Sequence, residues 1–278
     1  MFDKIVRDLA EKAQENSVTA NNEYIGKDGL RYCGVCHKPK EQFLGVSLYF
    51  PDGKVPSECD CDKAARLKME EETKLRKAQE HLAELQRHCF TDTAYSRHTF
   101  GQDKGYNPEA RKVAEWYVDT FEERCQKCEG LLFMGDTGTG KTFFACCIAN
   151  ALLRKGVAPW VTAVQPLLRD LGDFNRSSAA LREIQSTQLL VLDDFGTNQS
   201  GARNLDLLFE AIDTRERSGL PLIITTNLSP ADFNNPPSIE LKRIYSRIKK
   251  MCLCCEKSPV IMDGEDIREL AARTAHKS

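Results

Sequence analysis

Gly135-Asp136-Thr137-Gly138-Thr139-Gly140-Lys141-Thr142 is the stretch that decides how this chain is read. It fits G-x-x-x-x-G-K-[ST], the glycine loop that cradles phosphates. Glycines let backbone N–H groups wrap the phosphates, and the helix that follows points its positive dipole end at them. The flanks agree. Leu131-Leu132-Phe133-Met134 is a short apolar run of buried-strand type, and Phe143 to Leu153 is Ala-rich, apolar and of helix length. Lys141 is placed to reach the β/γ-phosphates of ATP, and the Thr142 hydroxyl to bind Mg2+.

Outward from the loop, Leu189 to Asp194 (LLVLDD) is an apolar strand ending in two carboxylates, about fifty residues downstream. A buried strand that delivers an acid to its C-terminal edge is the Walker B layout. Asp193 is the candidate magnesium ligand, and Asp194 the candidate base that orients the attacking water. Leu222 to Asn227 (LIITTN) is another buried strand ending in a polar residue. Asn227 is a candidate to bond the γ-phosphate or the water; a turn or helix N-cap is its plainer role. Further strand-like runs at Pro159 to Ala163 and Pro259 to Met262 alternate with helical patterns. A helix over 108–124 precedes the loop strand. The expected fold is α/β: a P-loop core with a parallel five-stranded sheet flanked by helices. Little chain follows the last strand, so no large C-terminal lid is expected.

Composition narrows the class. The 278 residues suffice for one large domain or two ordinary ones. The net charge of −2 leaves no basic tail, so a DNA site must be a local patch. No run of about 18 apolar residues exists, so no membrane span is expected. The N-terminus, MFDKIVRDLAEKAQ, is amphipathic and charged, unlike a secretory signal; residues 2–15 read as a short helix, and the location as cytoplasmic.

Twelve cysteines in a reducing compartment point to metal ligands or small core residues rather than disulfides. Cys33-x-x-Cys36 and Cys59-x-Cys61, about twenty residues apart, offer four thiolates for a structural Zn2+, with His37 an alternative ligand. A segment so poor in apolar residues gains its missing folding energy from a metal. Cys146 and Cys147 read as core, and Cys89 as an ordinary thiol. Cys125-x-x-Cys128 and Cys252-x-Cys254-Cys255 make a second metal site only if the fold brings them together. Gly45 to Phe50 reads as strand-like. Cys59 to His88 reads as a long, charged, exposed helix with Leu67, Leu75, Leu82 and Leu85 along it, and the turn-rich stretch Phe90 to Asn107 as a hinge. The expected domains are 1–61 (N-terminal helix and zinc-binding partner module), 62–107 (charged helix and hinge) and 108–278 (the ATPase).

GDTGTGKT, LLVLDDFG, IITTN and RIYSRI, in that order, resemble the AAA+ ATPases of the DnaC/IstB group, the helicase loaders and transposition helpers of bacteria and phages. The resemblance covers Phe90 onward. Asp194 stands where the wider AAA+ class has glutamate, while paired aspartates are familiar among loaders. The resemblance implies an arginine that reaches a neighbouring subunit's γ-phosphate, with Arg243 and Arg247 as the matching candidates on one helix face, and Arg268 as the second sensor arginine. It places single-stranded DNA near Arg169, Phe174, Arg176 and Arg203; Phe174 reads either as a base contact or as core. The N-terminal half resembles the zinc-bearing adaptor of phage-type loaders. By that resemblance, the chain is an ATPase that loads a hexameric replicative DNA helicase in a bacterial or phage-infected cell. It would grip the helicase through its N-terminal module, bind ssDNA and ATP through its core, and oligomerise with itself on ATP. The competing readings are a transposition helper ATPase and a nucleotide-gated scaffold with little turnover.

Overall fold

The computed structural model describes residues 23–46, 49–196, 201–264 and 266–267. The helix expected over 2–15 and Arg268 lie outside the described residues. Two units divide the chain at Glu80/His81.

The N-terminal unit is built from two antiparallel hairpins. β1 (Glu23–Ile25) pairs with β2 (Arg31–Cys33), and β3 (Glu41–Phe43) with β4 (Lys54–Pro56). The run at Gly45–Phe50 belongs to the connection between β3 and β4 rather than to a strand; residues 47–48 lie outside the described set. Polar ties hold the hairpins together. The Arg31 guanidinium donates to Glu41 at 2.5 Å, and Lys40 bridges Glu23 at 2.7 Å and Asp62 at 3.1 Å. Helix α1 (Asp60–Cys89) follows, with Asp60 and Asp62 in its first turn and Arg87 and His88 in its last, matching the helix dipole. Leu67 and Leu75 are exposed, whereas Leu82 and Leu85, which already belong to the second unit, pack against its core.

The second unit begins with the last part of α1, from His81, followed by α2 (Thr93–Arg97) and a 3-10 turn at Phe100–Gln102. The helix expected over 108–124 divides into α3 (Pro108–Asp119) and α4 (Phe121–Gln126). Thr120 sits at the break, its hydroxyl bonded back to the Trp116 carbonyl at 2.9 Å, a local bond that competes with helix continuation. Then come β5 (Leu131–Gly135), α5 (Lys141–Arg154), β6 (Pro159–Ala163), α6 (Val164–Gly172), α7 (Ser177–Ser186), β7 (Leu189–Phe195), α8 (Ala202–Ser218), β8 (Leu222–Thr226), α9 (Pro230–Asn234), α10 (Ile239–Cys252) and β9 (Val260–Met262). The five core strands form one sheet in the order β6-β7-β8-β5-β9, every neighbour parallel.

Period-2 alternation explains why the strands are apolar throughout. Leu131, Phe133, Val161, Leu189, Val191 and Ile223 face one core with α3 and α5. Leu132, Met134, Leu190, Leu192, Leu222 and Ile224 face the other, with α6, α7, α8 and α10. From β5 the chain crosses to the far edge strand β6 and returns through β7 and β8, so the order reverses beside β5. Ligand crevices in open α/β sheets lie at such reversals, at the C-terminal strand ends. Below the opposite end, the fully buried Arg215 donates to the carbonyls of Ile184 and Thr187 at 2.8 Å and Pro221 at 2.5 Å, tying α7 to the start of β8. No described helix is long and apolar enough to cross a membrane, and no helical lid follows β9 among the described residues.

Candidate functional site

The loop between β5 and α5 takes the conformation its glycines permit. Gly135 has φ +146°, and a Cβ there would come within 2.1 Å of the Met262 carbonyl in β9. Gly138 has φ +83°, a left-handed backbone that favours glycine. The Asp136 carbonyl organises the loop from within, accepting from Lys141 Nζ at 2.6 Å and the Thr139 hydroxyl at 2.9 Å.

A cavity of about 460 Å³ opens beside this loop. Its walls include Thr137, Gly138, Gly140, Lys141 and Thr142 from the loop, together with Asp194 and Asn227 from the ends of β7 and β8. The cavity therefore unites four of the residues singled out in the sequence: Lys141, Thr142, Asp194 and Asn227. Asp193 lies buried beneath them. Its Oδ1 accepts from the Thr142 hydroxyl at 2.7 Å and the Thr225 hydroxyl at 2.6 Å, and its Oδ2 from the Tyr95 hydroxyl at 3.0 Å.

The two aspartates diverge because the strand is irregular between them. The β7–β8 register shifts between Leu192 and Phe195, and Asp194 has φ 56°, in the left-handed region. Asp is one of the few non-glycine residues that tolerate it. Regular alternation would put Phe195 on the same face as Val191; instead it packs with Leu192 in the other core. The bulge thus lets Asp193 face α5 while Asp194 turns into the cavity, a typical use of bulges beside binding sites. The Asp194 N–H donates to Thr225 Oγ1 at 3.1 Å, so one buried threonine steadies both acids.

A further part of the lining comes from the stretch expected to be a hinge. Residues 90–107 are instead tied down at four places. Thr91 N–H donates to the Val161 carbonyl at 3.0 Å, on edge strand β6. The Asn150 side-chain amide, from α5, donates to the carbonyls of Tyr95 at 3.0 Å and His98 at 2.9 Å. Tyr95 reaches Asp193, and the Asn107 amide donates to the Thr139 carbonyl at 2.7 Å. His98, Tyr106 and Asn107 also line the cavity. His98 also packs on Phe143, ring centres 5.4 Å apart, and burial holds its imidazole pKa below the usual range.

Arg243 and Arg247 share one face of α10 but not the cavity of their own chain. Both guanidinium groups stack on the Phe209 ring, at 4.2 Å and 4.4 Å. Arg247 is also paired with Asp213 at 2.8 Å and Glu216 at 3.2 Å, whereas Arg243 is exposed. Phe174, in the turn between α6 and α7, is 95% exposed, so the core reading is wrong for it. Arg176 pairs with Asp170 at 3.0 Å, and Arg203 donates to the Gly172 carbonyl at 3.1 Å. Arg169 is exposed.

In the N-terminal unit, the ligand atoms of Cys33, Cys36, Cys59 and Cys61 all lie within 4.8 Å of one another. Four sulfurs at ~2.3 Å from a tetrahedral zinc need such a cluster. The thiols fit a cation and resist sharing a site without one. The Lys38 amide draws the Cys36 thiol down to about 6, while Cys61, hydrogen-bonded to it, is pushed up to about 12. His37 does not join the cluster; its ring faces the Tyr24 hydroxyl at 3.3 Å. No second group of this kind forms among the described residues. Cys128 and Cys252 instead donate to the carbonyls of Gly219 and Leu222, at 2.6 Å and 3.2 Å. Cys146 and Cys147 are core, as expected.

A family model described as IstB-like ATP binding protein matches residues 62–236, more than half of the chain. The chain belongs to the IstB-like ATP-binding family. A putative ATP-binding protein in an insertion sequence of Mycobacterium tuberculosis is 34% identical over 145 residues, 50% of this chain and 56% of that protein. The replicative helicase loader DnaC of Escherichia coli is 27% identical over 123 residues, 42% of this chain and 49% of that protein. The matched region thus spans about half the length of these relatives. The crystal structure of DnaI superposes with a TM-score of 0.52 at 22% identity, covering 63% of this chain and 97% of that one. The DnaC helicase loader structure gives 0.51 at 21% identity, covering 63% and 100%. At those identities the likeness speaks for the fold, and it agrees with the AAA+ P-loop core expected from the sequence.

The IstB-like match begins after Cys61, so the four-thiol cluster stands ahead of the family's shared region. Within that region, the sequence reading missed Tyr95, Asn150 and Thr225. The Thr225 signal was present: two hydroxyls, Thr225 and Thr226, close an apolar strand. Nothing in the local pattern marks Tyr95 or Asn150, whose partners are 98 and 55 residues away.

Proposed function

We propose that this IstB-like chain is an ATP-hydrolysing adaptor of the helicase-loader kind. Its core would bind ATP and single-stranded DNA, and its N-terminal module would bind a hexameric replicative helicase in the cytoplasm. The observation that carries the reading is the four-thiol cluster ahead of an intact nucleotide cavity. A metal-stapled module outside the shared ATPase region suits attachment to a partner. Phe43, Leu44, Val46 and Tyr49 supply that module with exposed apolar surface.

The chemistry assigned to the cavity follows from its groups. Lys141 and the loop amides, from Gly135 to Thr142, bind the phosphates. Thr142 and Asp193 are the residues that would hold Mg2+, which when bound neutralises charge on the β- and γ-phosphates. Asp194 orients the attacking water and takes up its proton, and Asn227 fixes the γ-phosphate or the water. His98, Tyr106 and Asn107 enclose the nucleoside. The neighbouring copy supplies Arg243 to the charge developing on the transferred phosphoryl group. Arg243 suits that role better than Arg247 because Arg247 is engaged with Asp213 and Glu216. Arg268 is retained as a second sensor. Phe174, exposed between Arg169, Arg176 and Arg203, has the chemistry for stacking a base beside phosphate-binding groups.

A second reading, a helper ATPase of transposition, is favoured by the 34% identity to the insertion-sequence relative. One experiment separates them. The full chain should carry one zinc per molecule and retain the host's replicative helicase on a pull-down. Cys36→Ser should lose both zinc and helicase. Retention of a transposase instead, with no helicase bound, would contradict the loader assignment.

A further inference from the structure

Three hydroxyls converge on the Asp193 carboxylate, and they come from three different parts of the fold. Thr142 belongs to the phosphate loop and Thr225 to the neighbouring strand; both donate to Oδ1. Tyr95 comes from α2 and donates to Oδ2. The last Asp side-chain torsion is a broad, two-fold rotor, so donors on one oxygen alone leave the carboxylate plane loosely set. A donor on the second oxygen fixes it.

The delivery of that hydroxyl is built into the surroundings. A five-residue helix does not persist by itself. Asp92 caps α2 by accepting from the Ala94 N–H at 2.8 Å. Asn150, almost fully buried on α5, holds the Tyr95 and His98 carbonyls. Thr91 anchors the preceding turn to β6 through both its N–H and its hydroxyl, the latter at 3.1 Å from the Val161 carbonyl. A tyrosine phenol keeps its proton near neutral pH, so the group is a standing donor.

We propose that Tyr95 is a positioning residue for the magnesium-binding carboxylate: its hydroxyl sets the orientation of Asp193 from outside the loop-and-strand core. The role rests on the reading of this cavity as a Mg·ATP site. Tyr95 touches neither nucleotide nor metal in it; it acts through Asp193. Groups that orient a metal ligand from behind are commonly worth 10- to 100-fold in metal affinity.

The test is Tyr95→Phe in the full chain, which keeps the ring and removes one hydroxyl. Binding of ATP carrying a fluorescent ribose label is titrated at a series of Mg2+ concentrations and again in chelator. The variant should match the parent in chelator and need about 10-fold more Mg2+ for half-maximal tightening. An unchanged Mg2+ requirement overturns the proposal. So does an equal loss of binding in chelator, which marks a structural role only. If the parent chain binds no nucleotide, or binds it without regard to Mg2+, the ATP-site reading falls and the Tyr95 role falls with it. That outcome is recognised in the parent chain, before the variant is compared.

Discussion

Asp193 and Asp194 are chemically identical neighbours, and the backbone gives them different work. Asp193 is buried and accepts three hydroxyls, whereas Asp194 sits at φ 56° and lines the cavity. That conformation bears on the choice of aspartate over glutamate. Asn and Asp tolerate the left-handed region because their short side chains bond locally; longer side chains do not share that advantage. Asp194→Asn should therefore fold and bind ATP as before, with turnover reduced about 100-fold or more by loss of the base. Asp194→Glu should lower stability in urea unfolding by about 1 kcal/mol, through backbone strain. Full activity in Asp194→Asn would remove Asp194 from the chemistry. The paired acids were legible in the sequence from their place after an apolar strand. Their divergence was not, because it depends on a register shift against β8 and on the Thr225 hydroxyl.

At the scale of elements, the segment 90–107 shows where composition misleads. Its turn-forming residues suit a hinge, yet its polar groups are spent on the α/β core: Thr91 on β6, Tyr95 on Asp193, Asn107 on the glycine loop. The five strands of the parallel sheet were read nearly to the residue, since they are uninterrupted apolar runs bounded by turns, whereas the short strands of the N-terminal hairpins were not. The segment 90–107 depends on long-range partners and carries no period of its own. Asn150 is the main staple, and Asn150→Ala would strand the Tyr95 and His98 carbonyls. We expect a loss of about 2 kcal/mol in urea unfolding. Amide exchange should accelerate around residues 93–98, while the strand β5 stays protected. Unchanged exchange there would mean that α2 is held by other contacts.

For the whole molecule, the sequence order of motifs identified a parallel five-stranded core, and the strand order β6-β7-β8-β5-β9 puts the phosphate loop where that order reverses. The cavity collects Lys141, Thr142, Asp194 and Asn227 but neither Arg243 nor Arg247. Those arginines lie on α10 against Phe209. On the proposed function, in which Arg243 serves a neighbouring copy, the site would be complete only when two copies meet. Mixing two inactive variants tests this most directly. Lys141→Ala retains Arg243 but lacks the phosphate lysine; Arg243→Ala retains the loop but offers no arginine to its neighbour. ATP hydrolysis by an equimolar mixture should exceed the sum of the separate variants several-fold, and activity per chain of the unmodified protein should rise with its concentration. A mixture no more active than that sum, with unmodified chains hydrolysing ATP at a constant rate per chain on dilution, would contradict the shared site.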